Sequence, residues 1–318
     1  MKNFIIWAII MVTAGYFGSK WYLHSEVSDG MDMAVLMMSP YANVEYDGVD
    51  STLTGELTIE GIRVRIDGFS DDLYIQSLGI DTPSFLSLLE LGDVVKLQSD
   101  GMPENIGFII EGLRMPVSAD YYKKLYDFTL DARGVGDAQD AAAECTCKYG
   151  FSPAALAELG YVEQVISSYV TIHNRRGQFS VDMRMTIEDM WDIEAELALA
   201  GDMMSEMMRG LAARPRLASM RVKMTDQSLN KRVADYCSRR GLSAEEIVKA
   251  QLESFKSFGE ENGIEFDEYV LDPYKEFLAG KSTLIVTARP NEPIAISQID
   301  LYKPSDVPAL LNLEATAL

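Results

Sequence analysis

The sequence predicts an α+β protein: a bulged, mainly antiparallel sheet with helices packed on one face, preceded by one N-terminal transmembrane helix. Three observations carry that expectation. Residues 179–187 and 191–199 alternate apolar and polar side chains, the period of a strand with one wet face. Residues 228–279 carry helix starts and stops at helical spacing. Residues 4–19 form an uncharged apolar run.

That run is taken first. Met1, Lys2 and Asn3 lead into Phe4, Ile5, Ile6, Trp7, Ile9, Ile10, Met11, Val12, Tyr16 and Phe17, and Lys20, Trp21 and Tyr22 close it. About 20 helical residues cross a bilayer core, so residues 3–22 span it if Lys20 snorkels to the surface. Tyr16, Trp21 and Tyr22 then form the interfacial belt, and Lys2 holds the N-terminus in the cytoplasm, exporting the rest. The rival is a cleaved signal peptide with a short small-residue site at Val12-Thr13-Ala14. The expected segments are an anchor over 1–24 and a stalk or short helix over 25–42, rich in Ser, Asp, Gly and Met.

The exported body divides into an α+β unit over 43–131, a small-polar linker over 132–151, and a second α+β unit over 152–318, which can form one body with the first. In the first unit Leu53, Leu57 and Ile59 share one parity and Ile62, Val64 and Ile66 the other. Gly61 falls where the phase flips, as a bulge requires. Leu73, Ile75, Leu78 and Ile80 behave likewise. Thr82-Pro83 opens a short helix over 84–91. A strand over 106–115 and a helix over 119–131 follow.

The second unit opens with a helix from Ser152-Pro153, closed by Gly160. A meander follows: strand 165–173, an Asn-Arg-Arg-Gly turn, then the two alternating strands. Asp192, Glu194 and Glu196 fall on their wet face. Met203, Met204, Met207 and Met208 form a stripe that reads as a helix packing on the sheet, with a soft-metal site as the weaker alternative. Strand 217–224 precedes helices over 228–240, 243–258 and 266–279. Ser243 and Glu246 form a capping box in the second of these, and Pro273 weakens the third. Strands over 283–288 and 294–301 and a short helix after Pro304 finish the chain.

One internal similarity links the two ends of the body. Ile75-x-x-Leu78-x-Ile80-x-x-Pro83-Ser84 is matched by Ile296-x-x-Ile299-x-Leu301-x-x-Pro304-Ser305, and each runs into a Leu-rich helix, over 86–91 and 307–313. The pattern reads as strand, tight turn and short helix. With the N-terminal span and the stretch GELTIEGIRVRI…LYIQSLGIDTPSFLSLLEL, it is similar to AsmA-type bacterial envelope proteins over residues 1–115 and 283–313. The helical stretch 228–279 departs from that pattern. The resemblance implies a single-pass inner-membrane protein with a periplasmic body, engaged in envelope assembly or lipid handling. It transfers no catalytic residue.

Composition bounds the chemistry. The 318 residues carry a formal net charge of −21, a field that repels phosphate backbones and excludes nucleic acid as a partner. The two histidines, His24 and His173, remove most metallohydrolase arrangements and make a Ser-His-Asp machine hard to assemble. Cys145, Cys147 and Cys237 do not make a thioredoxin-type or zinc pattern. An exported body permits a bridge from Cys147 to Cys237, with Cys145 as the alternative and buried free thiols as the rival state. Closing a loop of about 90 residues would contribute about 4 kcal/mol in the chain-entropy account. No phosphate loop, dinucleotide fingerprint or nucleophile elbow occurs, so no catalytic, cofactor-binding or metal residue is assigned. The expected partners are the bilayer, through the N-terminal helix, and a lipid or envelope protein at an apolar sheet face. The alternatives are a structural subunit of a larger membrane complex and a carboxylate-dependent hydrolase, with Asp189–Asp192 and 265–268 as its acid clusters.

Overall fold

The computed structural model describes residues 24–25, 27–28, 31–32, 35–52, 54–88, 103–124, 152–175, 178–201 and 215–318. The anchor residues 4–22, the methionine stripe 203–208, and Cys145 and Cys147 lie outside the described residues. Among the described residues no helix is long and apolar enough to cross a membrane. The chain divides into two compact units, Met1–Leu113 and Arg114–Leu318.

In the N-terminal unit, β1 (Ala42–Glu45) and β2 (Gly48–Ser51) both pair antiparallel with β3 (Glu56–Ile66). β3 pairs antiparallel with β4 (Asp72–Asp81), and β5 (Asn105–Pro116) is next to β4 and crosses the unit boundary. The phase flip at Gly61 is real, but it shifts no register. Ile59 faces Leu78 and Ile62 faces Ile75, so both strands change parity at one level. Gly61 takes φ 64° there, and a β-carbon would fall 1.9 Å from Asp47 Oδ2. Only glycine fits such a position. On β5, Gly112 at φ 58° packs against Gln76 in the same way, so the kink crosses three strands. Each half has its own cluster: Val49, Leu57 and Leu88 on one side, Ala42, Val44 and Ile62 on the other.

The C-terminal unit opens with α1 (Pro153–Glu158), N-capped by Ser152, whose Oγ accepts from Ala155 N at 3.0 Å. The meander is β6 (Glu163–Arg175), β7 (Gln178–Ile187), β8 (Trp191–Ala200) and β9 (Arg216–Asp226), antiparallel throughout. Helices α2 (Leu229–Arg239), α3 (Ala244–Glu261) and α4 (Glu268–Leu278) follow. The capping box of α3 is formed by Ser243 and Glu246, and Pro273 lies inside α4 without ending it. Then come β10 (Thr283–Ala288), β11 (Ile294–Ala295), α5 (Val307–Leu310) and β12 (Leu313–Ala317). The strand order is β6-β7-β8-β9-β10-β12, with β11 on β9. The α+β class with a mainly antiparallel sheet therefore stands.

Two expectations fail near the end of the chain. The strand expected over 294–301 is two residues of β11 followed by a 3₁₀ helix over Ile296–Leu301. Ile296 and Ile299 are three apart, the 3₁₀ period, and Ile299 packs into a buried cluster. The internal similarity is therefore one of sequence only, since its first copy is β4 and its second is this 3₁₀ turn. The helix expected to run on to Leu313 stops at Leu310. Asn312 then takes φ 46°, and β12 pairs along β10.

Helices cover the apolar face of the sheet at both ends of the strands. At one end Leu156, Tyr161, Met190, Leu229, Val233 and Cys237 close over Ile187 and Trp191. At the other, Val270, Val307 and Leu311 close over Phe179, Leu199, Leu217 and Leu313. Burying a side chain of Leu or Val size contributes about 1.5–3 kcal/mol. These two ends hold the unit together.

Candidate functional site

Between those ends the alternation continues, and of these rows Leu197 packs against the second cluster. β7 presents Val181, Met183 and Met185. Register places Val181 opposite Leu197, Met183 opposite Ala195 and Met185 opposite Ile193 on β8. On β9, Val222 and Met224 extend the same rows, and on β6 Ile172 and Val170 do so. Val170, Met183, Met185, Ile193 and Met224 are only half-buried. The result is an apolar band about three rows deep that the described helices flank. Three of its side chains are methionines (Met183, Met185 and Met224), unbranched and polarizable, which conform to irregular apolar ligands.

The opposite face is a charge ladder. Lys223 Nζ lies 2.9 Å from Glu194, Arg221 lies 3.3 Å from Glu196, and His173 Nε2 lies 2.8 Å from Asp182. Asp192 accepts from Thr186 Oγ1 and Gln227 Nε2, both at 2.8 Å. The hydrogen bond and charge of Lys223 hold the Glu194 carboxyl below its ordinary value. Asp192, Glu194 and Glu196 thus occupy the wet face that the alternation placed them on. Each has a neutralising or donating neighbour.

The β7–β8 turn carries a polar hub that sets α2 on the sheet. Asp189 takes φ 59°, and its carbonyl accepts from Tyr161 Oη at 3.0 Å and from Ser228 Oγ. Arg232 lies 3.6 Å from the Asp189 carboxylate, stacks 4.4 Å over the Tyr161 ring and donates to Ser228 Oγ at 3.0 Å. Ser228 is therefore spent on the turn, and the start of α2 is capped by Asp226, which accepts from Asn230 N at 3.0 Å. Burial pushes the Asp226 carboxyl up, although the backbone donors and Trp191 oppose it. Asp189 is thus engaged at the turn and Asp192 on the wet face, while Glu268 opens α4 and Glu265 precedes it. Cys237 on α2 is fully buried and disulfide-bonded. The other two cysteines of the chain are Cys145 and Cys147.

Carboxylates do gather in the N-terminal unit, where no sequence cluster marked them. A concavity of about 540 Å³ follows the kink and is lined by Asp47, Asp50, Glu56, Glu60 and Glu111, with Tyr74 and Ser77. Ser77 donates to Glu111 at 2.9 Å, and Arg63 approaches Asp47 at 4.0 Å. These acids come from β2, β3, β5 and the β1–β2 connection, so register alone assembles them. The one sequence signal was Glu56-x-x-x-Glu60, alternating against Leu57 and Ile59.

A family model described only as an uncharacterized protein matches residues 175–318. It spans β7 to β12, and so includes most of the band. No curated protein and no solved structure matches the chain.

Proposed function

We propose that this is a membrane-anchored, non-enzymatic binding protein of the bacterial envelope, with its body in the periplasm, and that the apolar band takes the acyl chains of membrane lipid. The observation that carries the reading is the band itself. Half-buried Met and Val rows lie between two helix-covered ends, and an apolar surface of that continuity marks a ligand or partner site. The uncharged run 4–19, of a length and character suited to a bilayer, supports it, since acyl chains are abundant there. The strongly acidic composition favours uptake of the apolar tails over attraction to anionic headgroups.

Native mass spectrometry of the full chain, extracted in mild detergent from its own membrane, tests this. The expected result is a population carrying lipid-mass adducts that Met183→Glu abolishes. Lipid-free protein, or adducts unchanged in the variant, would overturn the reading.

A second reading, a carboxylate-dependent hydrolase, is favoured by one observation, the acid-lined concavity along the kink. Paired carboxylates are the minimum for acid–base hydrolysis of glycosides. Turnover of a glycan panel by the wild type, lost in Glu60→Gln and retained in Met183→Glu, would move the function there.

A further inference from the structure

The two ends of the sheet path are built differently. At the β1/β2 end the strand is broken at Tyr46-Asp47 into two four-residue pieces carrying Glu45, Asp47 and Asp50. Short length, a break and exposed charge are the usual protections against edge-to-edge pairing. At the other end β12 has none of these. Leu313-Glu314-Ala315-Thr316-Ala317 is continuous and proline-free, with one charge.

The backbone register defines what that edge offers. Leu318 and Thr283 exchange hydrogen bonds in both directions, at 2.9 and 3.2 Å. By antiparallel alternation Thr316 and Glu314 also bond inward to β10, so the N–H and C=O groups of Leu313, Ala315 and Ala317 point outward. Among the described residues β12 pairs with β10 alone. The side chains of Glu314 and Thr316 are exposed on the wet face, while Leu313 and Ala315 belong to the helix-covered face.

We infer that β12 is a self-association edge that pairs antiparallel with β12 of a second copy, about a two-fold axis at Ala315. The sequence is complementary to itself in that register. Leu313 falls opposite Ala317, Ala315 opposite Ala315, and Glu314 opposite Thr316. Each outward-facing pair exchanges two hydrogen bonds. A register centred one residue earlier sets Glu314 directly against Glu314, a like-charge pair that cross-strand geometry penalises. Apolar residues then meet on one face and an acid meets a hydroxyl on the other, which is what an isologous contact demands. The inference is independent of the lipid reading and uses residues outside the band.

The test is the mass of the full chain in mild detergent, by multi-angle scattering with the micelle subtracted, across a concentration series. The wild type is expected to form a dimer. Ala315→Pro is expected to give a monomer with an unchanged circular-dichroism spectrum, since the amide it removes points outward and proline is tolerated there. The register is read separately by charge, which does not depend on whether the proline variant folds. Thr316→Lys sets a cation opposite Glu314 of the partner and is expected to tighten the dimer about 2–5-fold, while Thr316→Glu weakens it by a similar factor. A monomeric wild type, or a dimer indifferent to all three substitutions, would overturn the inference.

Discussion

The same three strands, β7, β8 and β9, carry two surfaces of opposite chemistry. On the wet face nearly every charge meets its complement across the strand: Glu194 with Lys223, Glu196 with Arg221, Asp182 with His173. On the other face, among the described residues, helices finish the apolar rows at the two ends, and Met183, Met185 and Ile193 between them join neither cluster. A face whose polar requirements are met internally needs no ligand. A partly exposed apolar face gains free energy from any apolar cover, because its remaining exposure is costly in water. That asymmetry is why the proposed binding surface is placed on the apolar face.

If the ends of the apolar face hold the fold and the band between them holds a ligand, substitutions in the two places should separate stability from binding. Phe277 of α4 is 2% exposed. Phe277→Ala is expected to destabilise the chain by about 3–5 kcal/mol, read from the urea midpoint. A shift of under about 1 kcal/mol would show that the packing of α4 is not what stabilises the unit.

The end of the sheet at Ile187 and Trp191 carries the disulfide of Cys237 on α2, within the cluster of Leu156, Val233 and Met190. Cys237→Ala is expected to cost about 2–5 kcal/mol. Peptide mapping without reductant should recover Cys237 joined to Cys145 or Cys147. Recovery of all three as free thiols would remove the bridge from the account of this end.

In the band itself the effects should reverse. Met183→Ala is expected to cost less than the Phe277 change, because Met183 is only half-buried, yet to reduce lipid retention several-fold in native spectra. Arg184→Ala, the next residue on the opposite face, should leave retention unchanged. Equal losses from both would show that the binding surface is not one face of the sheet.

Much of this contrast was legible in the chain. The strict alternation of Phe179, Val181, Met183, Met185 and Ile187 announced the band. The same period put Asp192, Glu194 and Glu196 in water, and Ser243 with Glu246 marked the start of α3. Local signals failed where tertiary pairing decides. Leu313–Ala317 contains residues at home in a helix, and it is a strand because Asn312 turns the chain onto β10. Ile296 and Ile299 fit a strand with a slip as well as a 3₁₀ turn, and packing of Ile299 selects the turn. The acid-lined concavity was invisible because Asp47, Glu60 and Glu111 are far apart in sequence and meet only through the register of β3, β4 and β5.

The smallest expected effect lies on the wet face and tests whether its pairing is as complete as the geometry suggests. Glu194 has its folded pKa lowered, first by the hydrogen bond from Lys223. An acid shifted that way adds stability above its unfolded value, ordinarily 4.5. The contribution fades as pH falls through the lower folded value. The side chains are 45% and 32% exposed, so solvent screening keeps the coupling to about 0.2–1 kcal/mol. A double-mutant cycle of Glu194→Gln and Lys223→Met should show that coupling at pH 7 and lose it progressively as the pH is taken below the ordinary carboxylate range. A coupling that persists at low pH would mean that the ladder is held by something other than ion pairing. The wet face would then no longer serve as the self-sufficient reference against which the band is judged.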